Sequence, residues 1–246
     1  MKSRLTYRSI QTTTAWQYKI REDKKKDWLE SGKYRFWETL DMNLKKSIVR
    51  EVDRKTAEKI ILEYEWLGDM AVTNKFYGIF FGNYCGGVIC INTNGVMAGN
   101  GQMYGLEDKY ISYFARGACP FWTPVGSASK LLSFALKFEK QRGAKVAHAF
   151  SDTDAGEYGT VYQATNWTCL GRQTGNDFEL FKNGRVIGSR ILSNLAKTRK
   201  TTKNNLIDTM INDGWSKQPT NKKYRYCYIL NRNEKDIIHN KIKHLI

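Results

Sequence analysis

Histidine and proline are both scarce in this chain, three of each among 246 residues. His148 sits inside an apolar run, while His239 and His244 fall in a charged tail. That scarcity leaves no two-His-plus-carboxylate spacing to announce zinc or iron, although iron on ligands gathered from distant segments stays open. Nor does it supply a histidine beside a nucleophile. Cys85, Cys90, Cys119, Cys169 and Cys227 are odd in number, scattered and never in a CxxC pair, which argues against a disulfide scaffold and a zinc site. Only Cys119, between Gly117-Ala118 and Pro120, has the setting of a reactive thiol. No apolar run approaches the roughly 18 residues that a membrane helix requires, and no apolar leader follows Met1. A soluble, cytoplasmic protein without membrane contact is expected.

Acidic residues are also in short supply: 40 Lys and Arg against 24 Asp and Glu leave a net charge of +16. Cations that neutralise phosphates release condensed counterions, so this imbalance points to a nucleic acid as partner.

What is present is patterned. Residues 1–54 are charged and aromatic with weak periodicity, Lys24-Lys25-Lys26 standing among Trp16, Tyr18, Trp28, Tyr34, Phe36 and Trp37, and read as a basic extension over part of the core. Ala57, Ile60, Ile61, Tyr64 and Leu67 predict a helix over 56–67 with Thr56 as N-cap. Runs at 76–81 and 84–91 meet at Gly82-Asn83 as a hairpin, and its Tyr77 and Tyr84 are further candidate site tyrosines. A strand at 110–116, a turn at 121–126, a helix over 127–141 and a strand at 145–150 form a β-α-β unit, which places ligands at the strand carboxyl ends. A polar loop, a short helix over 157–165 and an extended stretch to Leu170 follow. Beyond lie a hairpin across 178–192, a basic segment at 197–203, a helix near 206–213 and a strand at 224–230. The expected architecture is a mixed α/β core over 55–170 with an extension over 1–54 and a β-containing basic addition over 171–246.

Three groups could carry chemistry. Asp152 closes a strand and Tyr162 follows about two to three helical turns along, so both can face one cleft, with capping by Asp152 and packing by Tyr162 as the structural alternative. Before the helix at 127, Gly126, Ser127, Ala128 and Ser129 offer backbone N–H groups to an anion, to which Arg116 or Lys130 would add charge. In the tail, Lys222, Lys223, Tyr224 and Arg225 interleave cations with aromatics, as suits phosphate contact and base stacking, or equally an edge strand kept soluble by charge.

The ending Tyr162-Gln163-Ala164-Thr165-Asn166-Trp167 resembles the Tyr-x-x-x-Gly-Phe close of the cofactor-side helix in GNAT acyltransferases, with Asn166, which tolerates a left-handed terminus, in place of glycine. The longer block from Phe150-Ser151-Asp152 to Trp167 is similar to one in Mom-like phage proteins. The resemblance implies a GNAT-like mixed sheet with flanking helices and functional roles for Asp152, Tyr162 and Arg116. It also implies transfer of a small acyl-derived or glycinamide-like group to adenine N6 of double-stranded DNA, shielding phage DNA from restriction. Acyl-CoA is a candidate donor, yet Thr123-Pro124-Val125-Gly126-Ser127-Ala128 keeps only the Gly-x-Ala half of the acyltransferase phosphate loop, and Pro124 has no N–H to give. A conventional N-acyltransferase acting on a protein, tRNA or small amine and a non-catalytic DNA-binding protein are the alternatives.

Overall fold

Strands Lys75–Phe81 (β2) and Tyr84–Asn92 (β3) bury side chains on both faces along most of their length, which requires a sheet covered on both sides. The computed structural model describes residues 15–94, 100–173, 178–183, 185–219 and 223–245. Its main sheet has seven strands: Ile48–Glu51 (β1), β2, β3, Ile111–Ala118 (β4), Val146–Ser151 (β5), Tyr224–Ile229 (β10) and Thr168–Arg172 (β6), in that spatial order. All neighbours are antiparallel except β4 and β5.

Helices Trp16–Glu30 (α1), Arg54–Tyr64 (α2), Asn100–Tyr104 (α3), Ser127–Gln141 (α4) and Thr160–Gln163 (α5) precede β6. The predicted span of α4 is observed. Leu131, Leu132, Ala135 and Leu136 lie along its buried stripe against β1 to β5, and Ala147 and Ala149 of β5 are small enough to let it come close. Val146 and His148 alternate to the other face of β5, where Tyr104, Leu170, Cys227, Ile238 and Ile242 form a second core under α3 and Lys235–Ile242 (α8). α2 covers β2 to β4 on that same side through Ala57, Ile61 and Tyr64. Its N-cap is Asp53, whose carboxylate accepts from Thr56 N at 2.7 Å, so Thr56 lies inside the helix rather than before it.

Between β6 and β10 the chain builds Phe178–Lys182 (β7), Arg185–Gly188 (β8), Ser189–Thr198 (α6), Lys203–Asn212 (α7) and Ser216–Pro219 (β9), with a three-stranded sheet in the order β8-β7-β9. The hairpin expected through 192 stops at Gly188, because Leu192, Leu195 and Ala196 share a helical stripe that packs on Leu180. Neither expected boundary is a seam: β1 precedes residue 55 and β10 follows residue 170, yet both belong to the main sheet.

Candidate active site

Parallel pairing between β4 and β5 runs only from Ile111–Phe114 against Val146–Ala149. Beyond it, Arg116, Gly117 and Ala118 pair with β3 alone, while Phe150 and Ser151 pair with β10 alone. The sheet therefore opens at the carboxyl ends of its parallel strands, and a cavity of about 400 Å³ fills the wedge. α1 lies over it: Gln17, Tyr18 and Arg21 line the cavity, and Gln17 exchanges hydrogen bonds with Tyr64 O (2.8 Å) and Trp66 N (3.2 Å).

The block after β5 supplies one wall. Asp152 is buried, its Oδ1 accepts from Asp154 N at 3.1 Å, and its Oδ2 lies 3.1 Å from the Lys223 ammonium. Tyr162 reaches the same cavity from α5, its ring 5.1 Å from Trp167 and 5.2 Å from Tyr226. Capping by Asp152 and packing by Tyr162 thus coexist with a place for both side chains on one cavity. Burial, reinforced by the Glu157 charge, holds the Tyr162 phenol well above its usual range. Asn166 takes φ +62°, and Trp167 N donates to Tyr162 O at 3.0 Å, so the asparagine does close this turn in the left-handed conformation. At Gly159, φ is +70° and a Cβ would sit 2.3 Å from Tyr226 Cζ, so only glycine lets the loop rest on that ring. The Tyr226 hydroxyl donates to Tyr158 O at 2.7 Å from the other side.

Two acids that the sequence did not single out share the cavity. Glu65, at the C-terminal end of α2 and 7% exposed, accepts from Leu67 N (2.8 Å) and Gly68 N (3.1 Å). Burial pushes it up to about 7, with Arg116 opposing and Glu157 adding to the rise. Glu157 reaches about 7 through burial and the Asp152 charge, against the pull of the Trp66 hydrogen bond and Lys223. Position in the block after β5 could have flagged Glu157. Glu65 carries no such signal, since it reads as one more residue of an amphipathic helix.

Arg116 lines the cavity but is already engaged. Its Nη2 lies 2.8 Å from Asp69 Oδ1, its Nε donates to Asp69 O at 3.1 Å and stands 3.8 Å from Glu65 Oε2. The predicted anion loop is more occupied still. Gly126 is the α4 N-cap at φ +92°, and the Ser127 amide and hydroxyl both donate to Pro124 O, at 3.2 and 2.7 Å. Lys130 turns away from any ligand there, its ammonium donating to Leu44 O at 2.6 Å and Ser47 O at 2.7 Å. Of Gly126, Ser127, Ala128 and Ser129, Ala128 alone lines the cavity.

Other candidates fall elsewhere. Tyr77 donates to Glu139 Oε1 at 2.8 Å in the core, and Tyr84 stacks on Phe36 with ring centroids 4.5 Å apart. His148 is buried with Nδ1 2.6 Å from the Tyr104 hydroxyl, and burial holds it down at about 3, so it stays neutral. Burial pushes the Cys119 thiol up to about 12, the opposite of an activated nucleophile. Among the described residues no group of three or more His, Cys, Asp or Glu could hold a metal ion, and no helix is long and apolar enough to cross a membrane.

In the tail, Lys222 lies outside the described residues. Lys223 stands at the cavity, but β10 is an interior strand rather than an edge. Tyr224, Tyr226 and Tyr228 pack on the main core, and Arg225 Nη2 donates to Leu170 O and Arg172 O at 3.2 and 3.1 Å.

A model of the Mom protein family matches residues 46–245. No curated protein matches the chain. Among solved structures, an acetyltransferase from Bacillus subtilis in complex with CoA is 11% identical over 76% of this chain and 100% of its own, with a TM-score of 0.44. A putative acetyltransferase from Salmonella typhimurium with its cofactor acetyl-CoA is also 11% identical, over 76% of this chain and 95% of its own, at 0.43. These likenesses are distant, and what the site can do is read from its own residues. Its mixed α/β sheet, flanked by helices and split between two parallel strands, is the GNAT-like arrangement expected. Since the match runs from before β1 to beyond α8, the chain belongs to the Mom protein family.

Proposed function

We propose that this chain is a transferase that places a small acyl-derived or glycinamide-like group on N6 of adenine in double-stranded DNA, protecting phage DNA from restriction. The observation that carries the reading is the convergence of Asp152, Glu157 and Tyr162 on one cavity at the split between β4 and β5. Membership of the Mom family and the net charge of +16 support the substrate.

Adenine N6 is a weak nucleophile because its lone pair is delocalised into the ring, and a stacked base cannot enter an enclosed site. The base must leave the duplex, at about a few kcal/mol for unstacking. A cavity of about 400 Å³ is of the size that holds a ligand of this kind. Asp152 orients the amine by accepting one N6 hydrogen. As N6 bonds to the donor carbon, the N6 proton passes to the carboxylate pair of Asp152 and Glu157, and the bond from that carbon to the leaving group breaks with its electron pair on the leaving group. The Tyr162 phenol, kept protonated at neutral pH, hydrogen-bonds the departing atom. Glu157 near 7 is poised to take a proton at neutral pH.

Coenzyme A does not fit the loop before α4: Pro124 has no N–H, the Ser127 amide is spent on Pro124 O, and Lys130 faces the Leu44 and Ser47 carbonyls. The donor needs a leaving group on the carbon that bonds to N6. The test is mass spectrometry of nucleosides digested from plasmid DNA, with and without expression of the protein. A heavier deoxyadenosine that vanishes with Asp152→Asn is expected. Unchanged nucleosides from cells holding the folded protein would overturn the reading, and acetyl-CoA binding by calorimetry would favour a conventional N-acyltransferase.

A further inference from the structure

The segment Phe178 to Pro219 has a hydrophobic core of its own. Leu180, Leu192, Ala196, Leu206, Ile207 and Met210 are buried together, shared by the small sheet and both helices. It is an insertion between two adjacent strands of the main sheet, since β6 and β10 pair with each other on either side of it. The chain leaves and returns at one point, where Gln173 N donates to Lys223 O at 2.9 Å. That point is the wall of the cavity, because the Lys223 ammonium lies 3.1 Å from Asp152 Oδ2.

The insertion carries eight Lys and Arg against three Asp and Glu, a net charge of +5. Some of these cations serve the fold: Lys182 bonds the Asp213 carbonyl, and Lys217 lies over the Phe178 ring at 4.0 Å. Lys197, Arg199 and Lys200, at the junction of α6 and α7, do not. Residues 197–205 read Lys-Thr-Arg-Lys-Thr-Thr-Lys-Asn-Asn, with no acid and no apolar side chain. Lys197, Arg199 and Lys200 are exposed and make no ion pair among the described residues. Four residues, 199–202, join the helices. Lys200 takes φ +52°, Thr201 N donates to Ala196 O at 3.0 Å, and Thr202 caps α7 by accepting from Asn205 N at 3.2 Å. A lysine in a left-handed position that favours glycine holds a cation at the tip of the turn at a conformational cost.

We infer that this insertion is the element that docks the duplex: the α6–α7 turn grips the phosphate backbone through Lys197, Arg199 and Lys200, and α7 presents the exposed amides of Asn204 and Asn205 beside it. Helices joined by a short turn are a shape that fits a DNA groove, and a cationic tip without apolar residues suits phosphates rather than a lipid interior. The insertion is rooted at Gln173 and Lys223, and the Lys223 ammonium reaches Asp152, so a duplex gripped by the turn is tethered to the strand that forms one wall of the cavity. The inference rests on the DNA reading above for its substrate and concerns binding, not chemistry.

The test compares two exposed triple variants that remove equal charge: Lys197→Gln/Arg199→Gln/Lys200→Asn in the turn, and Lys235→Gln/Lys241→Gln/Lys243→Gln near the end of the chain. Asparagine is chosen at 200 because it accepts the left-handed backbone. Each is titrated with a short DNA duplex across a range of salt, after a thermal melt has shown the wild-type fold; the pair Lys197→Gln/Arg199→Gln stands in if the triple melts early. The turn variant is expected to lose about 10- to 100-fold in affinity at low salt and to reduce the slope of log K against log salt by about 2 to 3, while the control changes little. Equal losses in both variants, or none in the turn variant, would overturn the inference. So would loss of binding to vesicles of anionic lipid with duplex binding intact. A protein that docks DNA through the turn but leaves its nucleosides unchanged would sink the transferase reading alone.

Discussion

Two groups of buried acids with arginine among the described residues differ in what surrounds them. Glu139 on α4 is fully buried, accepts from Tyr77 Oη at 2.8 Å, from the Ser112 hydroxyl and from Arg142 Nη2 at 2.8 Å, and lines no part of the cavity. The second group, Asp152, Glu157 and Glu65 with Arg116 and Lys223, stands around open space, and two of its acids are pushed up to about 7. A carboxylate whose lone pairs are filled by its own fold is fastening. One held buried beside a cavity has capacity left for a ligand, and at Glu65 and Glu157 burial raises proton affinity more than their partners lower it.

The sharpest way to break this contrast is to exchange the effects. Asp152→Asn should lower the rate of modification by about 10²- to 10⁴-fold while melting close to the wild type, as measured by single-turnover assay beside calorimetry. Glu139→Ala should do the reverse, costing about 3–5 kcal/mol in denaturant unfolding because Arg142 loses its buried partner, with activity per folded molecule retained. Matching losses of stability in both variants would erase the distinction.

Smaller effects sharpen it. Glu65 binds its proton more tightly folded than unfolded, so its ionisation weakens the fold as pH rises from the ordinary carboxylate range through about 7. Glu65→Gln should therefore stabilise the protein by about 1–3 kcal/mol above pH 7 and by nothing at pH 4, a difference read from urea midpoints at the two pH values. Lys130→Met should cost about 1–2 kcal/mol by stranding the Leu44 and Ser47 carbonyls, with no change in donor affinity. A loss of donor affinity in that variant would return the loop before α4 to the binding site.

Much of this was legible in the sequence where the signal is local. α4 announces both its ends, Asn166 marks a left-handed terminus, and Asp152 and Tyr162 are close enough in sequence for one strand-to-helix connection to aim them together. What escaped depends on partners distant in the chain. Glu65 becomes a site residue only because α2 ends against the split in the sheet, and Lys130 points away only because the 44–47 loop offers it carbonyls. The tail strand read equally as a soluble edge, since nothing within it shows that β6 will cover its outer side.

The bearing of Gly159 on the Tyr226 ring has a consequence for the order in which the protein comes into being. β5, Asp152 and the glycine loop leave the ribosome well before β10, and until that strand arrives β5 has an open edge, β6 has no neighbour and the loop has no ring to rest on. The candidate site is thus assembled from an early segment and locked by a late one. A nascent chain stalled before residue 224 should carry every proposed catalytic side chain and still lack the strand that sets them in place, so competence waits on the synthesis of β10.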